Sequence, residues 1–282
     1  MATEKHENAF VSAHIADEGK NFLFNRPSKE FPMLVSRRAA LAAPLVLGSA
    51  RLALAQAPVQ ARVGVIPILA AAPVFVADRE GWLKEAGLQT RYTTFESGPN
   101  MIQALASGTI DIYVAGVAPL AVARARGIDV KVVASTAVEE MTVVVTAKVA
   151  RFFEPGVAPA EAFRRYRAAS GSPARLATQP AGSVPNATLQ HWLWEVTKTD
   201  RADVTIVPMG IDATQQAVLV GAVEGGTVRE PAVTILTQRD PTIKVVALGG
   251  TMFPDQPGTV IAVTALFLAI TPTRCRRWST AR

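Results

Sequence analysis

The sequence predicts an α/β fold in two lobes, each a mostly parallel sheet flanked by helices. Three observations predict it. Apolar runs of strand length alternate with helical segments over residues 62–135; each run ends on a small loop marked by Gly or Pro; and the same alternation returns over residues 175–248. Loops at the ends of parallel strands are where open α/β sheets hold small ligands.

In chain order, residues 62–67 (RVGVIP) read as a buried strand, 72–85 as a helix and 88–95 as a second strand. Ser97-Gly-Pro-Asn100 opens a helix over 101–107. A strand at 110–115, a loop at 116–119, another helix and a strand at 130–134 complete the first series. Residues 142–146 are β-branched and read as a strand. The basic segment 151–167 reads as helical, with Phe163 and Tyr166 turned inward. A strand at 175–178 then leads through the loop 179–186 (QPAGSVPN) into a helix over 187–198. Trp192 and Trp194, two positions apart, cannot both face the core of that helix, so one is expected inside and the other partly exposed. A strand at 204–208, a helix at 212–220 and a strand at 244–248 close the second series.

Five pieces of wording, in this order, resemble one family: GWLKEAG at 81–87, ASGTID at 106–111, VAGVAP at 114–119, GIDVKVVA at 127–134 and PGTV at 257–260. They are similar to the periplasmic substrate-binding proteins of the nitrate, sulfonate, taurine and bicarbonate ABC importers. The resemblance spans residues 62–269. It implies the type II periplasmic-binding-protein fold, with lobe 1 at 58–147 plus 258–271, lobe 2 at 148–257 and a ligand in the cleft between them. It further implies a monomer that closes on a small, anionic molecule, oxoanion- or sulfonate-like, and delivers it to an ABC permease and ATPase at the inner membrane.

The chain of 282 residues is 49% hydrophobic and 18% charged, ample for such a core. Its formal charge of +6 raises the question of nucleic acid, and the location of the charge answers it. Seven Lys/Arg against five Asp/Glu precede Pro58, four Arg and no acid follow Thr271, and the body between is balanced. No nucleic-acid partner is expected. MLVSRR at 33–38, the small apolar run 39–55 and the AQA at 55–57 have the three parts of an export signal, with cleavage after Ala57 and a periplasmic destination. SRR at 36–38 partly resembles the twin-arginine pattern, and the Sec route stays open beside it. Residues 1–32 are expected to be a non-native or disordered extension, with the true start at Met33. Residues 272–282 match no family pattern and read as an atypical basic tail or a shifted reading frame. The only cysteine is Cys275, so no internal disulfide, thiolate metal site or cofactor is expected.

Helix N-termini present unpaired N–H groups and the positive end of the helix dipole, which suits an anion. Candidate ligand contacts are Ala71, Ser97, Gly98, Asn100, Gly116 and Val117 in the first lobe, and Gly182, Ser183, Val184 and Asn186 in the second. Taken singly, each loop reads as plain helix capping, since Ser and Asn are common N-caps; it is the resemblance, in whose members these loops line the cleft, that implies ligand contact. Glu230-Pro231 looks like the family's acidic-proline pair. Arg229 stands where an aromatic residue usually precedes it, and VEGG at 223–226 departs from the usual pattern. Arg229 could hold a carboxylate or sulfonate through a forked pair of hydrogen bonds, or pair with Glu230, or face solvent.

The same two-lobed fold also resembles thiamine-pyrimidine synthases and pyrimidine-precursor-binding proteins. The enzymes need a cysteine-rich motif absent here, and with one His, His191, after residue 57, no Cys/His pair or zinc motif is present. The chain is therefore read as not an enzyme. A periplasmic solute sensor is the remaining alternative.

Overall fold

The computed structural model describes residues 57–271. The extension at 1–32, the tail at 272–282 and all but the last residue of the expected leader lie outside them.

Val59–Val65 (β1) buries Ala61, Val63 and Val65 at the two-residue period of a strand. A 3-10 turn, Leu69–Ala71, runs into Ala72–Arg79 (α1), and Gly81, at φ 82°, turns the chain before Trp82–Glu85 (α2). The helix expected over 72–85 is therefore two, because the left-handed glycine ends the first. Leu88–Thr94 (β2) follows, then Gly98–Ala106 (α3), which starts three residues before the expected position because Ser97 is its N-cap. Ile112–Gly116 (β3), Ala118–Ala125 (α4) and Val130–Ser135 (β4) complete the first series.

The second series holds Thr142–Val145 (β5), Ala147–Ala150 (α5), Pro159–Ser170 (α6), Ala174–Thr178 (β6) and Val184–Gln190 (α7). The helix α7 continues through a wider π-turn, His191–Val196, in which Trp192 is buried and Trp194 half-buried. Val204–Pro208 (β7), Ile211–Leu219 (α8), Gly225–Val228 (β8), Ala232–Arg239 (α9), Lys244–Leu248 (β9) and Gly249–Met252 (α10) follow. Thr259–Thr264 (β10) and Ala265–Ile270 (α11) end the described chain. No helix among the described residues is long and apolar enough to cross a membrane.

The two sheets have one design. The first is ordered β2-β1-β3-β10-β4 and the second β7-β6-β8-β5-β9. In each, the fourth strand, β10 or β5, runs antiparallel to both neighbours and arrives straight from a segment that crosses between lobes. The expected boundary at residue 147 is thus corrected. Thr142–Val145 pairs wholly within the second sheet, and the crossings lie at 136–141 and 253–258. Val143 and Val145 pack into one apolar cluster and Val144 into another, so the β-branched run is buried on both faces, as a central strand must be.

The crossings bind each other. Val138 bridges Pro257, the Glu139 N–H donates to the Gln256 carbonyl at 3.0 Å, and the Gly258 N–H to the Ala137 carbonyl at 3.0 Å. Asp255 donates its N–H to Glu139 Oε1 at 2.7 Å.

A matched ion pair fixes the second and third strands of each sheet. Arg62 on β1 gives its backbone N–H and Nε to Asp111 Oδ2 at 3.0 and 2.8 Å, and Arg175 on β6 gives the same two groups to Glu224 Oε2, both at 3.0 Å. Both acids stand one residue ahead of the third strand. Burial alone would raise the Glu224 pKa, but its hydrogen bonds from Arg175 and the nearby positive charge outweigh this and hold it below the usual carboxylate range. A depressed folded pKa gives stability that is present above the unfolded value and lost as pH falls through the folded one. Glu224→Gln is expected to lower Tm at pH 7 by roughly 2–4 °C, with the gap from the parent shrinking below about pH 4. Scanning calorimetry across pH checks this, and a gap independent of pH would contradict it.

Candidate interlobe site

The C-terminal ends of the parallel strands in each lobe face each other across one seam. Two backbone hydrogen bonds cross it: Leu69 N–H to the Glu230 carbonyl at 3.0 Å, and Ile211 N–H to the Glu96 carbonyl at 3.3 Å. Between them, Gly116 at the end of β3 lies against Val184 at the start of α7, so closely that a Cβ on Gly116 would sit 2.7 Å from Val184 Cγ2. The lobes are in contact, and Val184 is fully buried by it.

The sequence candidates separate into four groups. Ser97 and Ser183 act as caps, each Oγ accepting the N–H three residues on, from Asn100 at 3.4 Å and Asn186 at 3.3 Å. Asn186 spends its side chain internally, donating to the Gln179 carbonyl at 3.2 Å and accepting from Gln190 at 2.6 Å. Ala71 is buried in the first-lobe core with its N–H on the Ile68 carbonyl. Gly116, Val117 and Val184 form the seam, Val117 packing against the cores of both lobes with its N–H on the Gly258 carbonyl at 3.1 Å, whereas Gly98 packs within the first lobe beneath the Tyr113 hydroxyl, which a Cβ would approach to 2.6 Å. Gly182 and Asn100 stay at the surface, Gly182 beside a recess of about 110 Å³ that it lines with Val122 and Arg126.

Arg229 and Glu230 make up the fourth group. Arg229 follows β8 and is 3% exposed. Its Nη1 donates to Glu140 Oε1 at 2.8 Å, while Nη2 is buried with no hydrogen-bond partner among the described residues. Glu140, on the first crossing, also accepts from Thr259 Oγ1 at 2.6 Å, so one oxygen joins the crossing, the first residue of β10 and the second lobe. Tyr113 lies near enough to feel the guanidinium: burial pushes its phenol pKa up and the charge on Arg229 opposes the rise. Its hydroxyl donates to the Gly116 carbonyl at 2.7 Å. Of the sequence alternatives for Arg229, pairing with an acid is what is found, but the acid is Glu140. Glu230 instead caps α9, accepting from Thr234 N–H at 3.1 Å and Oγ1 at 3.0 Å, and the Glu230-Pro231 peptide is cis.

Glu140 and Glu230 line a second recess of about 330 Å³ together with Leu69, Ala70, Pro73, Thr136 and Ala137. The sequence reading missed Tyr113, Glu140 and Thr259. Glu140 is the second of two adjacent acids just ahead of a β-branched run, and no spacing ties it to an arginine 89 positions on. No group of His, Cys, Asp and Glu suited to a metal ion occurs among the described residues. His191 packs its ring on Phe253 at 4.5 Å between centroids.

Solved structures share this architecture. The alkanesulfonate-binding protein of Xanthomonas axonopodis pv. citri, bound to MOPS, is 20% identical over 79% of this chain and 72% of that one, with a TM-score of 0.62. The periplasmic aliphatic sulphonate-binding protein of Escherichia coli is 17% identical over 78% and 70%, at 0.59. The periplasmic nitrate-binding protein of Synechocystis PCC 6803 is 18% identical over 78% and 59%, at 0.63. No curated protein sequence matches the chain. At these identities the likeness establishes the fold of two lobes around a cleft. Residues 55–281 match the NMT1-like family, and with that match covering most of its length the chain belongs to the NMT1-like family.

Proposed function

We propose that the protein is the solute-binding component of an ABC importer, exported to the periplasm, which captures a small molecule between its lobes and hands it to a membrane permease driven by an ATPase. The fold supports this reading, since its structural neighbours bind sulfonates and nitrate. Capture and release by hinge closure need no reacting group, and the paired crossings supply the hinge. The observation that carries the reading is Arg229, a buried cation at the seam with one amino group unpaired. A buried donor without a partner is costly, and an acceptor group on a solute would complete it. The solute class is accordingly one that carries a carboxylate, sulfonate or similar acceptor, with α3 and α7 presenting their N-termini nearby.

The test is thermal unfolding of the purified protein with a panel of small carboxylates, sulfonates, nitrate and neutral pyrimidines. Binding to the native state raises its stability, by about 2.7 kcal/mol at a hundred times Kd. Arg229→Met is expected to weaken the binding of the solute so found by at least about tenfold. If no solute in the panel raises Tm, or if Arg229→Met leaves affinity unchanged, the reading is wrong.

A further inference from the structure

The geometry points to Glu139 as a strap that fixes both crossings to the second lobe, so that the lobes turn about a single pair of residues, Val138 and Pro257. It rests on the hinge of the capture proposed above. Each crossing holds one non-glycine residue in the left-handed region, Glu139 at φ 55° and Asp255 at φ 58°. Such a residue keeps that conformation only where its surroundings impose it. Here the Glu139 backbone lies against the first residue of α10, so closely that a Cβ on Gly249 would run into its carbonyl group. A Cβ on Gly250 would come within 2.7 Å of Glu139 Oε2. The other carboxylate oxygen, Oε1, accepts the Asp255 N–H at 2.7 Å, and the Glu139 N–H donates to the Gln256 carbonyl at 3.0 Å. One residue thus grips the second crossing while its own backbone is seated on the second lobe.

Two further contacts bind the second crossing to that lobe. Thr188 Oγ1 on α7 donates to Gln256 Oε1 at 2.6 Å, and the His191 ring lies on Phe253. Residues 253–256 therefore move with α7, whose N-terminus faces the seam. On the other side, Thr136 and Ala137 give their N–H groups to the Thr259 carbonyl at 2.9 and 3.4 Å, and the Gly258 carbonyl accepts from Val117, which ties all three to the first lobe. Val138 and Pro257, bridged to each other and both exposed, are left between. One side-chain bond, Thr259 to Glu140, spans them and lies beside that pivot, where rotation displaces atoms least.

Hydrogen exchange and spin-label distances test this, and neither needs a solute. In the wild-type protein the Asp255 amide is expected to be protected at least about tenfold more than the Ala202 amide, which also donates to a carboxylate, Asp200 Oδ1 at 2.8 Å, but within one turn. Labels at Lys84→Cys and Thr205→Cys, one exposed position on each lobe, report the separation of the lobes once Cys275→Ser has removed the native thiol. Glu139→Asn keeps a side chain that accepts the left-handed conformation but is one methylene too short to hold Asp255. It should remove the extra protection of Asp255 and broaden the distance distribution, with a tail to longer separations. Glu139→Gln keeps the length and the acceptor oxygen and should match the wild type in both. Equal protection of Asp255 and Ala202 in the wild type, wild-type distances in Glu139→Asn, or equal broadening in Glu139→Gln overturns the strap while leaving the solute site standing. The expected pattern beside a failed solute panel would sink the capture and leave the strap.

Discussion

Gly225→Val is expected to destabilise the second lobe strongly. Gly225 opens β8, which lies between β6 and β5, and a Cβ there would come within 2.4 Å of the Val144 carbonyl oxygen and 3.0 Å of Leu176 Cδ2. The nearer obstacle is backbone, held in a strand whose residues Val143, Val144 and Val145 are wholly buried, so it cannot step aside as a side-chain tip would. Gly226 beside it is equally confined, its Cβ position 2.6 Å from the Ala177 carbonyl oxygen. Overpacking at such a site costs about 3 kcal/mol or more. In a chain of this size that is a Tm loss of roughly 6–12 °C. Thr205→Val, exposed on the edge strand β7, is the control, expected to stay within about 0.5 kcal/mol. A Gly225→Val protein melting with the parent would show that the strand spacing is not as described.

Gly116→Leu is expected to leave both lobes folded and hold them apart. Gly116 does not occupy a left-handed conformation, so its backbone accepts a side chain, and Val184 across the seam is the obstacle. Those two facts separate folding from closure. Small-angle scattering should show a larger radius of gyration, and the affinity for a cleft solute should fall by at least about a hundredfold, because contacts from one lobe alone remain. Gly116→Leu combined with Val184→Ala returns part of the space and should recover part of the affinity. Parental dimensions and affinity in Gly116→Leu would refute the seam.

Much of the fold was legible because the strands carry their own signal. The runs at 204–208 and 244–248 form strands with those same limits, since alternating or continuous β-branched residues leave few other conformations. β8 was not legible: two glycines argue against a strand by propensity, and only the crowding of neighbouring carbonyls explains them. The Arg62–Asp111 and Arg175–Glu224 clamps join residues 49 apart, a separation that no local pattern encodes. The loops at 97–100 and 182–186 were found at the seam as the strand-end rule implies, yet Ser97, Ser183 and Asn186 turned out to be occupied with the chain itself. Arg229 was visible as an odd residue before Glu230, whereas its partner Glu140 needed the crossing to bring it near.

The placement of β10 has a consequence for synthesis. A ribosome delivers β1 to β4 first, but β3 and β4 do not touch; the strand that joins them, Thr259–Thr264, emerges only after the whole second lobe. All five strands of the second lobe, by contrast, are contiguous in the chain. The nascent chain therefore completes its later half before its earlier one, and the first lobe waits with the inner edges of two strands unpaired. Such a wait places the demand for chaperones on the amino-terminal half.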